Sequence, residues 1–272
     1  MSYRTILVNL NIDGPVAPLM DFSIDLATRF NSHLVGFSAA DIALPITAPE
    51  AMIGGDAMRL QREEIEQRIK KIRREFESHS GTNVSREWRD GVANPTRLII
   101  EMSRLADLIV TGCEDDLTLG HPERFINLGN LILQAGRPVL VAAKGARRIF
   151  TNTALIAWKD TREARRAVVD ALPLLCQANE VVVVTVDSAA DMLTQESIDD
   201  VCAFLRRHGV TAQSEIIKDR HEGESLLRFA RQMSAELVVS GAYGHSRVRE
   251  LVFGGVTRSL LAEDSFSRFL SS

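Results

Sequence analysis

The run Ser240-Gly241-Ala242-Tyr243-Gly244-His245-Ser246-Arg247-Val248-Arg249, followed a few residues later by Gly254-Gly255-Val256-Thr257, sets two glycine clusters around a short basic segment. Residues of these types can cradle a phosphate. Glycine lets the main chain approach a ligand closely. Gly254-Gly255 also precedes an apolar segment of helical character, Val256 to Ala262, whose first amides would point at an anion with the helix dipole behind them. A pair of glycine turns that merely reverse the chain would have the same composition, so both readings stand at this point. Other chemistry has less support. The six histidines, His33, His79, His121, His208, His221 and His245, show neither HxxxH nor HExxH spacing. Cys113, Cys176 and Cys202 lie far apart without a CxxC, and no GxSxG elbow is present. His221-Glu222 reads either as a polar pocket lining or as an exposed loop pair. Trp158 and Tyr243 are candidates to stack on a base, and are equally explained as core or rim aromatics.

The elements that would hold this loop repeat. Arg4 to Asn11 reads like Asn152 to Lys159, and His33 to Phe37 falls on Val181 to Thr185 at the same offset. Ala106 to Gly112 matches Ala235 to Gly241 at a shorter offset, so the first half carries extra residues between these blocks. Ala43 to Met58, with Pro45, Pro49, Gly54 and Gly55, has the loop composition to hold most of the surplus. In the second half the spacing predicts strands at Ala154–Trp158, Val181–Val186, Gln213–Lys218 and Leu237–Ser240. Helices are predicted at Arg162–Cys176, through Ile198, Val201, Cys202 and Leu205, and at Glu224–Ser234. In the first half Ile65, Ile69, Ile72 and Phe76 form the apolar stripe of the second helix. Strands alternating with helices predict an α/β fold of two tandem, doubly wound parallel-sheet units. In such sheets ligands bind beyond the carboxyl ends of the strands, where the strand order reverses, and the glycine segment leaves one of those ends.

Gly241-x-x-Gly244, then nine residues, then Gly254, after the fourth strand of a doubled α/β unit, resembles the glycine pattern of nucleotide-binding universal stress proteins. The resemblance spans nearly the whole chain and is to the tandem type. It implies an adenine nucleotide alpha hydrolase-like fold with five parallel strands per unit, an adenine pocket beside strands one and four, and ATP, with Mg as its accompanying cation. It implies that Ser240, Gly241 and Gly244 line the nucleotide. By the same resemblance Gly254, Gly255, Val256 and Thr257 face the phosphates, and Val186 is an apolar wall for the base. Where the family has serine or threonine after the last motif glycine, this chain has Gly255. Where the family tends to have aspartate at the end of strand one, it has Lys159 followed by Asp160; Lys159 is read as a phosphate contact or a solvated surface residue.

The first half has lost the pattern. Gly112-Cys113-Glu114-Asp115-Asp116 puts three carboxylates where phosphates would approach, which disfavours a polyanion. Those carboxylates read as a solvated acidic loop or a hard-cation site. The organisation expected is therefore a degenerate universal stress protein domain at 1–145 and a nucleotide-binding one at 150–272, joined by Lys144 to Thr151. The first half ends in Pro138-Val139-Leu140-Val141, a clear fifth strand. In the second half Ser267-Arg268 interrupts the matching apolar run, which predicts a short or missing last strand.

Composition bounds the rest. The chain has 272 residues and a net charge of -4, with 45% hydrophobic and 25% charged residues, as expected of a globular protein. An isoelectric point near 5.9 gives no global basic field for nucleic acid or anionic membrane. Met1 to Leu10 holds only a short apolar run, and no stretch approaches the ~20 apolar residues of a membrane span, so a cytoplasmic location is expected. The function implied is a stress-response sensor or regulatory protein that binds ATP in its second domain, with a homodimer as one assembly. The alternatives are a slow ATP-hydrolysing or nucleotidyl-transfer enzyme, which would need a general base or metal carboxylate at the loop, and a ligand-free interaction module.

Overall fold

The computed structural model describes residues 2–43, 54–79, 84–113, 122–149, 152–243 and 255–272. These form two compact units, one of Tyr3–Ala135 with Gly145–Arg148, the other of Gly136–Lys144 with Ile149–Ser272.

The first unit runs β1 (Thr5–Asn9), α1 (Val16–Phe30), β2 (His33–Ala40), α2 (Gly54–Ser78), β3 (Arg86–Val92), α3 (Pro95–Met102), β4 (Leu108–Thr111) and α4 (Leu128–Gln134). Its strands lie in the order β3-β2-β1-β4, and every pairing among them is parallel. Central strands read as continuous apolar runs because helices cover both faces: Ile6, Leu7, Val8, Ile109 and Val110 are fully buried. The α2 stripe Ile65, Ile69, Ile72 and Phe76 is buried as its spacing requires. Gly54 to Met58, expected in the loop, instead open this helix, and residues 44–53 lie outside the described residues.

The second unit contains β5 (Val139–Val141), β6 (Thr153–Ala157), α5 (Arg162–Leu175), β7 (Glu180–Val186), α6 (Met192–Arg207), β8 (Ala212–Ile217), α7 (Glu222–Gln232), β9 (Leu237–Gly241), α8 (Gly255–Leu261) and β10 (Ser267–Ser271). The order is β5-β10-β9-β6-β7-β8. All of these pairings are parallel except β5 with β10. Local chemistry starts the helices. Thr161 accepts a hydrogen bond from the Ala164 amide to cap α5, and Asp191 with Thr194 forms a capping box on α6.

The expectation of a short or missing last strand is corrected. Strand β10 has five residues, all buried, pairs in parallel with β9 from Ser267 to Ser271, and pairs antiparallel with β5. The polar residues that seemed to interrupt it each have a tertiary partner. The Ser267 hydroxyl accepts from the Ala143 amide, Ser271 donates to Asp170 at 2.7 Å, and the fully buried Arg268 guanidinium donates to the Leu260 carbonyl at the end of α8. A cation at a helix carboxyl end is favourably placed. Strand β5, expected to close the first half, belongs by its packing to the second unit. No described helix is long and apolar enough to cross a membrane.

Candidate functional site

In the second unit β6 and β9 are neighbours, while their onward connections run to opposite sides, to β7 and to β10. The crevice beyond their carboxyl ends is the switch point of the sheet. Register places Ala157 opposite Ser240 there, so Lys159 and Asp160 leave β6 beside Gly241 at the end of β9. Ser240 is buried and its hydroxyl donates to the Gly241 carbonyl at 2.8 Å. Val186 ends β7 on the same edge and is half-buried. Gly244 and Gly254 lie outside the described residues, as do His245, Arg247 and Arg249.

The glycines of this site do different things. A Cβ on Gly241 would lie 2.4 Å from the Ala164 amide nitrogen and 2.6 Å from the Glu163 carbonyl carbon. Gly241 is therefore glycine because the first turn of α5 presses on β9. Gly255 opens α8, and among the described residues no heavy atom lies within 4 Å of a Cβ built on it. Val256 is half-buried, whereas Thr257 sits with Leu260 on the buried face of α8. Helix α7 packs against this helix so closely that a Cβ on Gly223 would come within 2.9 Å of the Gly255 carbonyl oxygen and 2.4 Å of the Ser259 hydroxyl. The start of α7 thus borders the place assigned to phosphates.

Several described charges along the edge are paired. The Lys159 ammonium lies 3.2 Å from Glu222 in the first turn of α7, and Arg165 donates to Asp160 at 2.9 Å. Asp219, after β8, accepts from the His221 amide at 3.0 Å, the Ser225 hydroxyl at 2.7 Å and Arg228 at 3.4 Å. The His221 amide first, then the Ser225 hydroxyl, hold its carboxyl well below the usual carboxylate range. A depressed folded-state pKa stabilises the fold above the unfolded value of about 4, and that stabilisation fades as the pH falls towards the folded value. Asp219→Asn should accordingly lower Tm at neutral pH, with the gap from wild type narrowing below about pH 4. Thermal scans between pH 7 and pH 3 check this, and a gap constant with pH would contradict it.

Trp158 is a core aromatic: it is 8% exposed and its indole donates to Ser197 on α6 at 3.0 Å. Tyr243 takes a positive φ of 67°, and burial pushes its phenol up to about 12. The His221 ring is exposed, with Nδ1 3.4 Å from Asp219 Oδ1, and its backbone amide also donates to Asp219. The link between Lys159 and Glu222 has no sequence signal, because 63 residues separate them.

The corresponding edge of the first unit is built differently. Glu114, Asp115 and Asp116 lie outside the described residues. Beyond β1, Asp13 pairs with Arg68 and with Arg124, and Arg124 also pairs with Glu64 at 3.0 Å. Arg124 is mostly enclosed, its side chain 13% exposed, and its hydrogen bond to Glu64 leads the effects that raise its pKa. Two guanidinia and two carboxylates satisfy one another across this edge. A 111-residue separation between Asp13 and Arg124 hides the cluster from sequence reading.

Residues 153–263 match the universal stress protein family model. The chain is similar in fold to a universal stress protein from Archaeoglobus fulgidus DSM 4304, with 13% identity, 98% of this chain and 96% of that chain covered, and a TM-score of 0.74. It is also similar to a functionally unknown protein from Pseudomonas aeruginosa PAO1, with 15% identity, 98% and 92% covered, and a TM-score of 0.60. A search of the curated proteins gives no match. Residues 153–263 therefore form a domain of the universal stress protein family, within a chain whose full length has the fold of such a protein.

Proposed function

We propose that the second unit binds an adenine nucleotide, ATP with its Mg, at the carboxyl ends of β6 and β9, and that the protein acts in the stress response as a nucleotide-dependent sensor or regulator. One observation carries the reading: the Gly241-x-x-Gly244 and Gly254 pattern leaves β9 at the switch point of a universal stress protein domain. The surrounding residues fit a nucleotide. Val186 offers an apolar wall, Ser240 and Gly241 line the crevice, Gly255 and Val256 offer main-chain amides at the start of α8, and Lys159 supplies a cation. Thr257 belongs to the same set through its main chain. Gly244 and Gly254 enter through the sequence pattern.

Asymmetry between the halves follows from chemistry. The first unit lacks the glycine pattern and ties Asp13, Glu64, Arg68 and Arg124 together at its edge. Titration of the intact protein should reach one nucleotide per chain, and Gly244→Leu should abolish binding by blocking the approach of main chain to phosphate. Mass spectrometry of nucleotide released by heating identifies the ligand. Two equal sites per chain would refute the assignment. Hydrolysis is expected to be slow or absent, since the sequence around the glycine loop carries no recognisable general-base or metal-carboxylate motif.

A further inference from the structure

We infer that Glu222 sets the charge class of ligand the second unit accepts, by holding the Lys159 ammonium that a phosphate chain would otherwise take. This rests on the nucleotide reading of the same site. Both carboxylate oxygens of Glu222 face the ammonium, at 3.2 and 3.5 Å. The pair is open to solvent, with side chains 51% and 36% exposed, so its partners can exchange. Its place in the fold makes it matter. Lys159 leaves β6 at the switch point, and Glu222 precedes Gly223, whose backbone packs on the Gly255 carbonyl and Ser259. The ion pair therefore joins the crevice to the border of the phosphate region. Among the described residues, Asp160 pairs with Arg165, and Asp219 with Ser225 and Arg228.

A phosphate that recruits Lys159 competes with Glu222 for the ammonium, and it then lies near that carboxylate. For nucleotides free of Mg, both effects grow with the number of charges on the ligand. Glu222 thus works against a triphosphate more than against a monophosphate, and Lys159 works in the opposite sense.

The test compares dissociation constants of AMP, ADP and ATP, in buffer without Mg, for the intact wild-type chain, Glu222→Gln and Lys159→Met. Glu222→Gln should tighten ATP binding by about threefold to tenfold and change AMP by less than about twofold, with the difference shrinking at high salt. Lys159→Met should weaken ATP more than AMP. Both substitutions replace exposed side chains, and an unchanged Tm confirms that each variant is folded. Equal effects on all three nucleotides, or no effect of Glu222→Gln, would overturn the charge filter while leaving the nucleotide site standing. Failure of any nucleotide to bind wild type or either variant would overturn the site itself, and the filter with it.

Discussion

Gly241→Val is expected to destabilise the second unit by about 1–3 kcal/mol, the range for forcing atoms into a packed site. The atoms in the way are backbone: the Ala164 amide nitrogen at 2.4 Å, the Glu163 carbonyl carbon at 2.6 Å and the Ala164 Cα at 2.8 Å from the added Cβ. Backbone at the start of a helix cannot step aside as a flexible side chain can. The Ala164 amide is also the donor that Thr161 caps, so the intrusion strains the first turn of α5 as well. Gly255→Ala is the contrasting substitution. Among the described residues its Cβ meets nothing within 4 Å at the start of α8, so its effect on stability should stay within about 1 kcal/mol. Thermal or urea denaturation of the two variants decides the matter. Equal midpoints for Gly241→Val and wild type would contradict the close approach of β9 to α5.

Leu140→Ala is expected to cost the second unit about 2–5 kcal/mol, the range for truncating a fully buried leucine. Leu140 lies in β5 opposite Phe269 of β10, and both are completely buried. Two tryptophans make this measurable, Trp88 in the first unit and Trp158 in the second. In a Trp88→Phe background the remaining fluorescence reports the second unit, and its unfolding midpoint should fall when Leu140 is truncated. An unchanged Trp158 transition would show that β5 does not support β10.

Much of the fold was legible because its signals are local. The doubled order of strands, the α2 stripe Ile65, Ile69, Ile72 and Phe76, and the run Val181 to Val184 follow from periodicity, and all of these residues are buried. What misled were polar residues in a buried strand. Ser267 and Arg268 read as an interruption, since an unpaired buried polar group is costly, yet Ala143 and Leu260 supply their partners. Partners from the two sides of β10 cannot be inferred from the strand alone.

The candidate site divides in the same way. The parallel α/β units, the duplication and the glycine pattern after the fourth strand of the second half are readable from the chain alone, because periodicity, repetition and spacing are linear properties. What individual residues do there follows from their three-dimensional neighbours. The fold makes Gly241 a packing glycine and, among the described residues, Gly255 an open one, turns Trp158 into core, joins Lys159 to Glu222, and ties Asp13 to Arg124 in the first unit. The physical reason is distance along the chain. Steric contact and charge pairing act through a few ångströms of space between residues that are tens or hundreds of positions apart, and a single sequence does not record which of them meet.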